Sequence, residues 1–247
     1  GKLGVALVTA GPGVTNAMTG IANAHVARAS ILVLSGLPPR PQENRGALQD
    51  IAHTDLLKSI TRYARTVRQS SLVLQELDEA VSRAMGAGGE PGPVYLDFPT
   101  DVLREEVPKP IQMLEHFRPK IVRPLLPHAD DVSAAIKILW GAKKPLVISG
   151  RGARGAQKEL CEFLDKLGAA YLDTGESKGL VPDSHPSVVA AMRGKVMGDA
   201  DVIVTLGRRL DFQLAYGSPA VFGSARFVRI GDVPTEVRDN RRGDVEI

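Results

Sequence analysis

Four-residue apolar runs and helix-period segments alternate along most of the chain. Val5-Ala6-Leu7-Val8 predicts a buried parallel strand, followed after the break at Thr9-Ala10-Gly11-Pro12-Gly13 by a small-residue helix over 14–27 and a second strand at Ile31-Leu32-Val33-Leu34. Strand, helix and strand make a βαβ unit, with the Gly-Pro-Gly turn at the carboxyl end of its first strand. Glycines there let a ligand approach the backbone, and a helix start offers free N–H groups. Pro38-Pro39-Arg40-Pro41 blocks regular structure, and residues 56–63 carry no clear period. Leu74, Leu77, Ala80, Val81 and Ala84 fall at helical spacing, and Val94-Tyr95-Leu96 is a further buried strand.

The proline-rich stretch 104–127 reads as a linker between a first domain, 1–103, and a second, 128–247. In the second, Asp130-Asp131 cap a helix through Ile136, Leu139 and Trp140 that stops at Gly141. PLVIS at 145–149 leads into Gly150-Arg151-Gly152-Ala153. A helix with Leu160, Phe163, Leu164 and Leu167 follows, then strands at 170–172, 202–206 and 227–230. The expected fold is α/β: two domains with doubly wound, mainly parallel sheets, the second Rossmann-like.

Composition narrows the function. With 31 basic and 28 acidic residues the net charge is +3, and Arg238, Arg241 and Arg242 are interrupted by acids, so nothing points to nucleic acid. The lone Cys161 lies in a helical apolar pattern, which reads as a core thiol in a reducing, cytoplasmic setting. No apolar run approaches ~18 residues, so no membrane span is expected. No His, Cys and carboxylate spacing suggests a metal site. The chain opens on a strand without an initiating Met, and is expected to be a piece of a longer polypeptide.

The wording of the first βαβ unit is specific. GPGVTNAMTGIANA at 11–24 resembles the GPGxTNxxTGxxxA signature of thiamine diphosphate enzymes related to acetolactate synthase, in their pyrimidine-binding domain. The resemblance continues through Leu34-Ser35-Gly36, Leu48-Gln49-Asp50 and the segment 91–102, PGPVYLDFPTDV. Positions 148–153, 177–183, 199–204 and 206–211 are similar to the central domain of the same family, and SKGLVPD is nearest to oxalyl-CoA decarboxylases and 2-hydroxyacyl-CoA lyases. The family's third domain, with its GDG and downstream Asn for magnesium and diphosphate, has no counterpart in these residues.

The resemblance implies that Thr9, Pro12 and Asn16 line the pyrimidine pocket of thiamine diphosphate and that Gln49 is the catalytic residue facing the reacting carbon. It implies Mg2+ held by a domain outside this chain, and a pyrimidine-activating Glu upstream. Asn16 also reads as an ordinary polar residue of a helix start. Leu48-Gln49 departs from the Tyr-Glu pair of oxalyl-CoA decarboxylases, which weakens the CoA reading. His53 follows Gln49 by four residues, so a helical turn would bring both to one face; His25 reads as a packed or partner-facing histidine. In the central domain FAD or ADP is the implied ligand, its phosphates cradled by Gly150, Gly152, Arg208, Arg209 and Ser177-Lys178-Gly179. Gly231-Asp232-Val233 lacks the family's paired acids at the adenosine end.

The expected function is a lyase, carboligase or decarboxylase acting on 2-oxo acids or aldehydes, acetolactate synthase-like. The alternatives are a 2-hydroxyacyl-CoA lyase or oxalyl-CoA decarboxylase, and a non-catalytic nucleotide-binding or interaction module. A homodimer or homotetramer is expected, because the 14–27 helix looks apolar almost all round.

Overall fold

The computed structural model describes residues 2–107, 114–115, 117–120, 126–189 and 191–247. The chain divides into two compact units, Gly1–Arg123 and Pro124–Ile247. Half of the expected linker, residues 108–113, 116 and 121–125, lies outside the described residues.

In the first unit β1 (Gly4–Val8), β2 (Ile31–Leu37), β3 (Tyr63–Thr66) and β4 (Pro93–Pro99) form a parallel sheet in the order β1-β2-β4-β3. Helices α1 (Pro12–Val26), α2 (His53–Leu57), α3 (Val73–Ala84) and α4 (Thr100–Leu103) connect or follow the strands. β4 is buried along its whole length, as a central parallel strand should be. β1 corrects the expectation of a buried strand: it is the sheet edge, with Val5 64% and Leu7 79% exposed. An edge strand has a partner on one side only, and its apolar composition does not reveal which position it takes. β3 was not anticipated, because its YART sequence has no apolar run.

α1 is apolar on one face, not all round. Val14, Ile21 and Ala24 are buried, while Pro12, Asn16, Thr19, Gly20, Asn23 and Val26 form an exposed face without charge.

In the second unit β5 (Pro145–Ser149), β6 (Ala170–Leu172), β7 (Val202–Leu206), β8 (Arg226–Ile230) and β9 (Val245–Glu246) run parallel in the order β6-β5-β7-β8-β9. The chain steps from β5 to β6 on one side and returns to β7 on the other, so the carboxyl ends of β5 and β7 flank a topological switch point. The helices are α5 (Ala129–Trp140), α6 (Gln157–Leu167), α7 (Arg193–Asp199), α8 (Pro219–Phe222) and α9 (Pro234–Val237). α5 turns Ala135 and Ile138 inward and leaves Trp140 85% exposed, a rotation of the anticipated face. Cys161 is free on α6 and half-buried against the core.

Candidate functional site

The Gly-Pro-Gly turn closes β1 and opens α1. Gly11 adopts φ 59° and ψ −111°, a conformation that side chains strongly oppose. A Cβ there would lie 2.8 Å from Cβ of Gln49, so the missing side chain also lets the Gln49 loop press against the turn. Gln49 itself has φ 62° and precedes α2, which begins only at His53. The anticipated helical turn joining Gln49 to His53 is therefore absent, and the two meet the turn from different directions.

His53 is buried. Its Nε2 accepts the Gly11 N–H at 2.8 Å, and its Nδ1 lies 3.4 Å from Oδ2 of Asp97 on β4. Asp97 also accepts the Tyr95 hydroxyl at 3.1 Å. Burial first, and the Asp97 charge second, raise the Tyr95 pKa far above that of a free phenol, which keeps the hydroxyl a donor. Spacing placed His53 on one face with Gln49; the structure buries it beside the turn, bonded to Gly11.

Thr9, Pro12 and Asn16 are exposed on this side of the turn, with Pro12 and Asn16 one helical turn apart. α1 has no side-chain N-cap and no acid in its first turn, so its opening N–H groups lack competing anions. Gln49 is half-buried between Leu48, 86% exposed, and Ile51. The loop that carries Gln49 is anchored by Arg40. Its Nε donates to Asp101 at 2.7 Å, its backbone N–H to the same carboxylate at 3.0 Å, and another guanidinium nitrogen to Glu105 at 2.8 Å. Asp50 accepts the Asn44 N–H at 2.7 Å within the loop. Thus the two acids of the PGPVYLDFPTDV segment stand behind the turn and the Gln49 loop: Asp97 faces His53, and Asp101 holds Arg40. Their roles depend on through-space partners that spacing does not reveal. His25 stands apart at the far end of α1, where burial, then Arg62, lower its pKa.

In the second unit a cleft of about 660 Å³ opens at the switch point, lined by Gly152, Phe163, Leu206, Gly207, Ile230 and Asp232 among others. The glycine turn here is used differently from the expected phosphate cradle. Gly150 N–H donates to Leu206 C=O at 2.9 Å, and Gly152 N–H to Gly207 C=O at 3.1 Å. Gly207, at φ 52°, packs so closely that a Cβ would fall 2.2 Å from the Gly152 Cα. The glycines serve the contact between two chain segments, and their amides are already engaged. Arg208 is held by Asp211 through two bonds of 2.8 Å and by Gln213, and the Ser177 hydroxyl bonds to Ser149 and Thr174. Arg209 is exposed. The amides of Gly150 and Gly152, the Arg208 guanidinium and the Ser177 hydroxyl are thus each engaged within the chain.

Among the described residues no group of His, Cys, Asp or Glu side chains is arranged to hold a metal ion. No described helix is long and apolar enough to cross a membrane.

Comparison with known families places this geometry. The profile described as "Thiamine pyrophosphate enzyme, N-terminal TPP binding domain" matches residues 1–57, which include the turn, Gln49 and His53. That of "Thiamine pyrophosphate enzyme, central domain" matches residues 132–247. The chain belongs to the thiamine pyrophosphate enzyme family. Among its relatives, 2-hydroxyacyl-CoA lyase 1 of Mus musculus is 32% identical over 260 residues, covering 99% of this chain and 42% of that protein. Oxalyl-CoA decarboxylase of Escherichia coli K12 is 32% identical over 251 residues, 97% of this chain and 43% of the relative. A 2-hydroxyacyl-CoA lyase of Arabidopsis thaliana is 30% identical over 253 residues, with 98% and 43% covered. The chain thus spans less than half the length of these relatives.

Proposed function

We propose that this chain supplies the pyrimidine side of a thiamine diphosphate site in an enzyme that cleaves or forms a bond next to a carbonyl carbon. The observation that carries the reading is the N-terminal TPP-binding match over residues 1–57, the segment that holds the Gly11 turn and the Gln49 shelf. The residues fit that half of the cofactor. Gly11 leaves space where any side chain would collide with Gln49, Pro12 offers a flat apolar surface, and Thr9 and Asn16 are exposed polar groups beside it. An Asn amide both donates and accepts, which suits a heteroaromatic edge. Thiamine diphosphate supplies, when bound, the nucleophilic carbon and the electron sink. Gln49 then has the role of a neutral hydrogen-bond donor to the substrate's carbonyl oxygen. Mg2+ and the diphosphate would be held by residues outside this chain.

Two substrate readings remain in play, and the relatives favour one. The CoA thioesters named in the 2-hydroxyacyl-CoA lyase and oxalyl-CoA decarboxylase relatives, with SKGLVPD, support a CoA-linked substrate. Leu48-Gln49 supports a 2-oxo acid or aldehyde, as in the acetolactate synthase-like enzymes. An assay of the intact protein with thiamine diphosphate and Mg2+ separates them. Aldehyde or carbon dioxide released from a 2-hydroxyacyl-CoA or oxalyl-CoA, and not from pyruvate, supports the first; the reverse supports the second. No turnover of any of the three counts for a non-catalytic module.

FAD or ADP in the second unit is the ligand implied by resemblance. The apolar cleft suits an adenine ring, and Asp232 at its wall suits a ribose hydroxyl, but the engaged Gly150 and Gly152 amides weigh against a diphosphate there. Calorimetry with adenosine and ADP tests this: equal affinities agree with it, and a strong ADP preference does not. The reading also makes the protein a cytoplasmic homodimer or homotetramer, with the uncharged face of α1 and the exposed edge of β1 as the surfaces that another subunit or domain covers.

A further inference from the structure

We propose that His53, as a neutral imidazole protonated on Nδ1, is a positioning residue that tethers the Gly11 turn, and that protonating its second nitrogen releases the turn. The tautomer follows from geometry. A backbone N–H can only donate, so the Nε2 that lies 2.8 Å from the Gly11 nitrogen is the bare nitrogen of the ring. The proton therefore sits on Nδ1, the nitrogen that faces Asp97 Oδ2 at 3.4 Å. The Tyr95 O–H donates to Asp97 Oδ2 at 3.1 Å, and His53 Nδ1 faces the same oxygen at 3.4 Å without forming a hydrogen bond. The His53 and Asp97 side chains are 0% and 1% exposed, so water does not substitute for either.

The tether adds a long-range bond to the turn's local ones, Gly13 N–H to Ala10 C=O at 3.4 Å and Thr15 N–H to Gly11 C=O at 3.1 Å. α1 starts without a side-chain cap, and Gly11 occupies φ and ψ values open to glycine and closed to other residues. His53 reaches it across 42 residues of sequence. Gln49 packs on Gly11, so the tether also sets where the Gln49 amide stands relative to Pro12 and Asn16. A doubly protonated ring has no acceptor and would turn an N–H toward the Gly11 N–H. The titratable groups that face the ring are Tyr95 and Asp97, both on β4; Asp55, on α2 with His53, is exposed. The consequence for ligand binding rests on the thiamine diphosphate reading; the tether itself does not.

The experiment separates the two. In the intact protein, ring nitrogen shifts of His53 and the protection of the Gly11 amide are followed by NMR against pH. The expected result is an Nδ1–H tautomer, with a Gly11 protection factor, the intrinsic rate at each pH divided by the observed rate, that drops roughly 10-fold once the ring is doubly protonated. His53→Gln, whose amide both accepts and donates, should keep Gly11 protected with no such pH step. His53→Leu should lose the protection at every pH. An Nε2–H tautomer, or a Gly11 amide indifferent to the His53 titration, overturns the tether, and the wild-type titration alone decides this should His53→Leu fail to fold. In the intact protein, thiamine diphosphate with Mg2+ should bind about 10-fold more weakly to wild type at acid pH, and equally to His53→Gln at both pH values. A Gly11 pH step without that loss of affinity would overturn the ligand consequence and leave the tether standing.

Discussion

Gly11→Ala is the substitution whose effect the structure specifies most fully. At φ 59° and ψ −111° any side chain is strained, which costs roughly 1–3 kcal/mol. The new Cβ would stand 2.8 Å from Gln49 Cβ and 3.2 Å from its Cα and Cγ. Gln49 cannot retreat cheaply, since the atoms met are its Cα, Cβ and Cγ and not the end of a flexible side chain, and such overpacking costs roughly 1–3 kcal/mol more. Partial relaxation will draw the turn away from His53, so a total of about 2–5 kcal/mol is expected. Gly20→Ala is the matched control on the same helix. A Cβ at Gly20 meets nothing within 4 Å, so the change should stabilise by about 0.5–1 kcal/mol through helix propensity alone. Hydrogen exchange read by mass spectrometry resolves the two units, and the loss in Gly11→Ala should be confined to peptides of β1, α1 and the Gln49 loop. A Gly11→Ala chain within ~0.5 kcal/mol of wild type, or no more perturbed than Gly20→Ala, would refute the reasoning.

Three further outcomes are expected. Gln49→Ala in the intact protein should lower kcat by about two to three orders of magnitude with nearly unchanged cofactor affinity, and unchanged kinetics would remove Gln49 from the reaction. Arg229→Met should destabilise the second unit by roughly 3–5 kcal/mol in urea unfolding, because the fully buried guanidinium pairs with Asp239 at 2.6 Å and would leave that carboxylate without its cation; an unaltered midpoint speaks against this. Burial raises the Asp101 pKa, but bonds from the Arg40 backbone and guanidinium outweigh it; the Glu105 pKa is lowered by bonds from Ser70, opposed by burial and aided by Arg40. Lowered folded-state pKa values mean that the anchorage is complete above the ordinary carboxylate range, about pH 4, and is lost as pH falls through the folded values. Proteolysis of the Gln49 loop should therefore accelerate below about pH 4, while equal cleavage at pH 3 and pH 6 would contradict the anchor.

The legible parts of the fold were the central strands. Val94-Tyr95-Leu96 and Val202–Leu206 are continuous apolar runs because both faces of a parallel strand are covered. β1 has the same composition, yet it is an exposed edge; a run of apolar residues specifies a strand but not its place in the sheet. β3, β9 and α7 escaped because YART, VE and RGKVMGD carry no sustained period. The resemblance proposes Thr9, Pro12, Asn16 and Gln49 from the motif around the turn and one short match. It did not reach the supports. The spacing of Gln49 and His53 suggested a helical turn, which the positive φ at Gln49 interrupts. Arg229 had an available signal: a single cation inside the strand sequence FVRI must find buried partners. The glycines at 150 and 152 show the opposite lesson, since a Gly-x-Gly after a strand here serves close packing against Gly207.

The central claim is that the shelf formed by Thr9, Pro12, Asn16 and Gln49 receives the aminopyrimidine of thiamine diphosphate. A crystal structure of the intact protein with thiamine diphosphate and Mg2+ tests it most directly. The account predicts the pyrimidine ring over Pro12, an Asn16 amide within hydrogen-bonding distance of its edge, and the Gln49 amide facing the reactive carbon. A cofactor bound with its pyrimidine away from the Gly11 turn, or with Gln49 turned from the reactive carbon, would contradict it.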